Sequence, residues 1–367
     1  MPDARTALHD WHAARQARMI PFAGYAMPVQ YSGVVEEHRA VRTHAGLFDI
    51  SHMARLSFAG SNATAFLDRV FTNSVAGMKP DQVRYGLLLN DAGFVLDDVL
   101  VYRWPYGYSM VVNASNRAKV VAWLTEQAAA FDVRLGDETD ATAMLAVQGP
   151  AAVALTAGLF DFDAGTLKNY YAKPTFYCCN GCVVSRTGYT GEDGLEIIVP
   201  NALAVSLAEE LVARGAKPCG LGSRDTLRLE AAMPLYGHEL TESIDPLSAG
   251  LGWAVRLDKG DFVGRDALKA MTLTHARVGL ELDGKRAARE GCPVVADGPA
   301  GDEIVGTVSS GSYGPFVGKS IAMATVPLAY SSPGTALTVD IRGTPTPARV
   351  VSLPFYRRPK PTPETPP

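Results

Sequence analysis

The chain has 367 residues, of which 47% are hydrophobic and 20% charged, and its formal net charge is −4. That length predicts two to three domains, and the apolar content excludes intrinsic disorder as the main state. The slight negative charge argues against a general nucleic-acid binder, which carries a basic stripe, and no run of about 18 apolar residues suggests a membrane span.

Residues 5–18 read as a short amphipathic helix, and Pro21, Gly24 and Pro28 read as breaks. The first segment has no apolar signal core. Val34 to Arg42 reads as helix, residues 47–50 lead into Ser51-His52-Met53, and Ala54–Ala59 reads as a strand. Ser61 is the expected N-cap of a helix reaching Val70, because its hydroxyl suits a free backbone N–H. Strands are expected at Tyr85–Asn90, Val95–Tyr102 and Tyr108–Asn113, followed by a helix over 116–130. Further strands fall at 144–148, 182–186 and 195–199, the last two around a Gly-rich turn at 188–194. Helices follow at 201–214 and 223–233, the second stopped by Pro234. Beyond about residue 275, short β-rich segments alternate with Gly and Pro, which predicts a separate all-β domain. The Pro/Thr-rich end, 359–367, reads as a mobile tail.

Five cysteines are an odd number, and Cys178, Cys179 and Cys182 crowd together. Free thiols in a reducing cytoplasm are the expectation. Cys179-Asn180-Gly181-Cys182 lacks a second ligand pair, so no metal site is expected.

The segment Phe94–Tyr102 carries the most chemistry. Strict alternation places Phe94, Leu96, Asp98, Leu100 and Tyr102 on one face and Val95, Asp97, Val99 and Val101 on the other. Each face then holds one carboxylate among apolar residues, which is costly unless the carboxylate is bonded. The structural reading is an Asp satisfied by backbone N–H groups or an Arg; the functional reading is a pocket for a flat ligand. Glu196 shares a face with Ile198 and suits two parallel N–H donors of a heterocycle; its structural reading is a surface Glu. Arg224 and Arg228 lie one helical turn apart. Either suits a ligand carboxylate, and either also suits an ion pair with Asp225, Glu230 or another acid. His52 has a catalytic reading and a structural one, and the hydrogen-bonded structural histidine is the expectation.

Several segments together carry a family resemblance. They include Phe22-Ala23-Gly24-Tyr25, Glu37-His38-Arg39, Gly46 to Met53, Leu96-Asp97-Asp98, Val147-Gln148-Gly149-Pro150, Thr187 to Glu196, Gly220 to Ala231, Ser309-Ser310-Gly311 and Pro354 to Lys360. The ordered set resembles the glycine cleavage system T-protein family, the tetrahydrofolate-dependent aminomethyltransferases, over nearly the whole chain. The resemblance implies an α+β fold of three domains in a cloverleaf around a central channel, the third β-barrel-like. The implied first domain is 1–50 with 140–215, the second 51–139 with 216–275, and the third 276–358.

The resemblance also implies roles. Asp98 is the implied catalytic carboxylate. Glu196 and Arg228 are implied folate contacts, with Met53, Tyr85, Asn113, Tyr189, Trp253 and Tyr356 around them. The implied donor is an aminomethyl group on the dihydrolipoyl arm of the H-protein, and the implied products are ammonia and 5,10-methylenetetrahydrofolate. One departure is visible: Gly93-Phe94 stands where the family has two glycines. A folate-dependent demethylase of the same fold is an alternative. A non-catalytic folate-binding relative is another; those relatives carry Lys-Gly-Cys, and the comparable stretch here, Met233 to Glu239, holds no Cys.

Overall fold

In the computed structural model, which describes residues 3–298 and 301–359, two sheets and a barrel meet around one helix. The first sheet runs in the order Ala172–Tyr177, Asn180–Ser185, Gly194–Pro200, Thr142–Gln148, Gly46–Asp49, Lys217–Pro218. Only the last pair is parallel. Its inner strands Gly194–Pro200, Thr142–Gln148 and Gly46–Asp49 are largely buried on both faces, as in a doubly covered sheet. Leu145, Val147, Leu195 and Ile197 pack toward helix Ala204–Ala213 through Leu207 and Leu211. Met144 and Ala146 point the other way.

The second sheet runs Val83–Leu89, Val95–Trp104, Gly107–Val112, Ala54–Ala59, Arg134–Asp137. Leu56, Val99, Val101 and Met110 cover helices Ala63–Val70 and Arg117–Ala128 through Phe66, Leu67, Val120 and Leu124. The opposite face sends Tyr102 and Val111 into one cluster with Phe48, Met144 and Ala146 of the first sheet. The chain therefore crosses between sheets after Asp49 and returns at Thr142.

Residues 275–351 close a six-stranded barrel: His275–Leu282, Lys319–Pro327, Gly301–Gly314, Pro293–Gly298, Ala336–Asp340 and Pro345–Val351, which pairs back to the first. Closure leaves no free sheet edge. The expected α+β fold ending in a β-barrel is the one observed. Residues 360–367 of the expected tail lie outside the described residues.

Three local expectations change. Pro21, Gly24 and Pro28 do not break the chain; they lie in a hairpin of Arg18–Phe22 with Tyr25–Gln30. Its two turn residues, Ala23 and Gly24, have φ of 49° and 81°, the left-handed pair that a tight hairpin turn needs. Ser61 does not cap the helix. Its hydroxyl bonds Asp132 instead, and the helix starts at Ala63 without a side-chain cap. Finally, strand Val95–Trp104 carries a bulge: Leu88 pairs with Asp97 but Leu89 pairs with Val95. The unpaired Leu96 joins the core of Val99 and Val101, so the two predicted faces exchange members at that point.

Candidate active site

Where both sheets, the hairpin, helix Leu221–Glu230 and the barrel converge, they leave a cavity of about 810 Å3. Met53, Tyr85, Asp98, Asn113, Tyr189, Glu196, Arg228 and Trp253 all line it. Tyr356 does not. Its ring lies 4.0 Å from the Arg42 guanidinium and edge-on to Phe316, and its backbone N–H bonds the Glu230 carbonyl. That cation–π contact holds the ring in the joint between barrel and helix. Phe94, at the departure from the family pattern, is also absent from the lining; it closes the turn with Asn90.

Asp98 projects from the second sheet on the face opposite Val99. Its Oδ1 accepts from Asn113 Nδ2 at 2.7 Å, and its Oδ2 accepts from the Tyr85 hydroxyl at 3.1 Å. Asp97, on the other face, is fully buried. Burial pushes both carboxyl groups up from the ordinary aspartate range, and for Asp97 the neighbouring Asp98 adds to the push. Tyr85 stacks on Trp253 with ring centroids 5.3 Å apart. Trp253 is 64% exposed, which puts this stack at the rim.

Glu196 enters from the first sheet and is not a surface residue. Its strand is internal to the sheet, so the side chain is 5% exposed. Thr187 donates its hydroxyl to Oε2. Burial raises the Glu196 carboxyl above its usual range. Tyr189 is anchored through its hydroxyl to the Pro234 carbonyl.

The two arginines of the helix differ. Arg228 donates Nε to Asp225 at 2.9 Å, Nη1 to Glu239 at 2.9 Å and Nη2 to Ser310 at 2.8 Å. It touches the cavity with its guanidinium already engaged. Arg224, one turn earlier, has no side-chain hydrogen bond or ion pair among the described residues. It lines the cavity, lies over the Tyr189 ring at 4.7 Å, and feels the Glu196 charge. The i, i+4 spacing had marked both; it carried no sign of which one the acids of the helix and the following loop would take.

His52 also lines the cavity and is 3% exposed. It is not the hydrogen-bonded histidine expected: its buried Nδ1 has no partner, and its ring meets Phe22 edge-on. Burial first, then the Arg224 charge, lowers its pKa to about 4. The five cysteines are free, with Cys178 and Cys179 exposed on a hairpin turn. No group of three metal-ligating side chains occurs among the described residues, and no helix there is long and apolar enough to cross a membrane.

The cavity lining therefore offers a buried carboxyl group for hydrogen-bond donors, a guanidinium with no side-chain partner among the described residues, an aromatic rim, and a second carboxyl group from the other sheet. Comparison with known proteins adds to this geometry. Residues 8–259 match the family model described as GCVT N-terminal domain, and residues 276–357 match the glycine cleavage T-protein C-terminal barrel domain. An aminomethyltransferase of Streptomyces coelicolor is 46% identical, over 97% of this chain and 98% of that protein. Another, of Synechococcus elongatus, is 45% identical over 95% of each. The crystal structure of the glycine cleavage system aminomethyltransferase T from Bartonella henselae superposes with a TM-score of 0.91 at 34% identity, covering 97% of this chain and 98% of that one.

Proposed function

The chain belongs to the glycine cleavage T-protein family, and from that premise we infer that it is an aminomethyltransferase of the glycine cleavage system with tetrahydrofolate as co-substrate. Its donor on this reading is the S-aminomethyl group of the dihydrolipoyl arm of the H-protein, in the cytoplasm. Ammonia leaves the aminomethyl carbon and the C–S bond breaks, while two folate nitrogens bond to that carbon; of the two N–H protons they release, one goes to the departing amine and one restores the thiol of the arm.

One observation carries the reading: Asp98 and Glu196 come from different sheets yet line the same cavity. The residues suit a flat heterocycle with amino and ring N–H donors. Glu196 is buried and carries one hydroxyl donor, which leaves acceptor capacity toward the cavity. The Tyr85–Trp253 stack supplies an aromatic wall. Arg224, rather than the ion-paired Arg228, is the free cation for a ligand carbonyl or carboxylate.

Asp98, as carboxylate, accepts the N–H of the attacking amine and balances the positive charge that develops at the transferred carbon. Tyr85 and Asn113 orient it through one bond to each oxygen. Holding two reactants in one closed space supplies much of the remaining rate.

The test is a single turnover with aminomethylated H-protein, following ammonia and methylenetetrahydrofolate with and without tetrahydrofolate. Folate-dependent release of both supports the reading. Folate binding without product, together with turnover of a methyl donor, would replace it with the demethylase. In the same assay, Asp98→Asn is expected to keep folate binding and lose about 10²–10⁴-fold in turnover. Near-wild-type turnover of that variant would remove Asp98 from the mechanism.

A further inference from the structure

Asp97 touches no cavity space, yet the surrounding polar groups are arranged around it. Its Oδ1 accepts from Asn113 Nδ2 at 2.8 Å and Asn116 Nδ2 at 2.6 Å, and its Oδ2 accepts from the Asn113 backbone N–H at 3.1 Å. Asn113 Nδ2 also reaches Asp98 Oδ1 at 2.7 Å. One carboxamide thus bridges two neighbouring carboxyl groups, one fully buried and one facing the cavity.

We propose that Asp97 is a positioning residue for the reaction at Asp98: it fixes the Asn113 carboxamide that orients Asp98, and its retained negative charge raises the pH at which Asp98 ionises. The proposal rests on the reading of Asp98 given above.

The hydrogen bonds decide where the pair's charge resides. Asp97 accepts three N–H bonds, so a proton there would displace one of them or make the Asn113 or Asn116 carboxamide flip away from Asp98 or from the Leu96 carbonyl. Asp98 faces the cavity, and the Tyr85 hydroxyl beside it turns to accept as readily as to donate. Two carboxylates this close do not both ionise easily, so the shared proton sits on Asp98 at low pH. The other titratable groups facing the pair are Tyr85 and Tyr189 on the Asp98 side and Tyr236 on the Asp97 side. Arg224, Arg228 and Glu239 act on Tyr189, Arg277 acts on Tyr85, and Lys119, which bonds the Tyr236 hydroxyl, acts on Tyr236 with Glu242. No cation among the described residues bonds either aspartate.

Asp97→Asn removes the charge and keeps the shape. Asn116→Ala removes one donor from Asp97 without touching the cavity lining. The profile of kcat/KM against pH is measured for both, with folate affinity by Trp fluorescence and melting temperature as controls. For Asp97→Asn the acid limb is expected to move to lower pH by about one unit, a tenfold change in proton affinity, with kcat reduced and folate affinity held within about twofold. Asn116→Ala is expected to move the limb the same way by less. A folded variant of either kind whose acid limb stays at the wild-type pH overturns the proposal; if Asp97→Asn fails to fold, Asn116→Ala decides alone. Carbon-13 NMR of the labelled aspartate carboxyls reads the same shift without turnover. A wild-type protein inactive with the aminomethyl donor but showing the shift on Asp97→Asn would break the functional reading and leave this one standing.

Discussion

Arg224 and Arg228 sit on one helix, four residues apart, and line one cavity, yet they have opposite chemistry. Arg228 bonds Asp225, Glu239 and Ser310 and joins the helix to the barrel. Arg224 has only an aromatic face and a distant carboxylate. The first is an internal strut whose charge is neutralised by the fold; the second is a cation without a side-chain hydrogen bond or ion pair among the described residues. A cation drawn away from water is costly unless it is paired, and half-buried Arg224 is left with that demand; on the proposed reading a ligand meets it. Residue type and helical position are the same for both, and only the surroundings separate structure from binding.

The largest effect that separates them is on stability. Arg228→Ala leaves Glu239 buried without its cation; that side chain is 1% exposed in the pair. Breaking such a pair costs about 3–5 kcal/mol, so urea unfolding is expected to show a large loss of stability. Arg224→Gln is expected to change stability little and to weaken folate binding. Charged hydrogen bonds are worth about 1.5–3 kcal/mol, which corresponds to roughly 10–100-fold in affinity by titration calorimetry. If Arg228→Ala were neutral in unfolding and Arg224→Gln destabilising, the two roles would be reversed.

How far the sequence reads can be judged from the same neighbourhood. The Gly194–Pro200 strand is legible by alternation, and it places Glu196 opposite Leu195 and Ile197 as observed. Alternation fails at Leu96 because a bulge adds a residue to that strand and not to its neighbour Val83–Leu89, and no residue type in either strand marks the insertion. The hairpin at 18–30 was hidden by its prolines, which an edge ribbon tolerates. Of the partners of Arg228, Asp225 was legible from its place one helical turn away, whereas Glu239 and Ser310 were not, because they come from a loop and from the barrel. Tyr356 belongs to an ordered motif, but its position depends on Arg42, at the other end of the sequence. Local periodicity is written in neighbouring residues, whereas ion-pair choice is made by long-range packing.

The finest test of the comparison uses His52 as a reporter of the Arg224 charge. Burial is the main reason its pKa falls to about 4, and the Arg224 charge is the next. An ordinary histidine titrates near 6.5, so the unfolded chain takes up this proton before the folded one does. Stability from His52 is therefore complete above about pH 6.5 and is lost as pH falls toward 4, below which the loss levels off. Replacing Arg224 by Gln removes a positive charge and leaves the burial. The His52 pKa is then expected to rise by less than one unit, followed by the ring-proton shifts in NMR, and the acid loss of stability is expected to shrink in proportion. An unchanged His52 titration would mean that Arg224 is already neutralised in solution by an anion. Its freedom, and with it the contrast to Arg228, would then be lost.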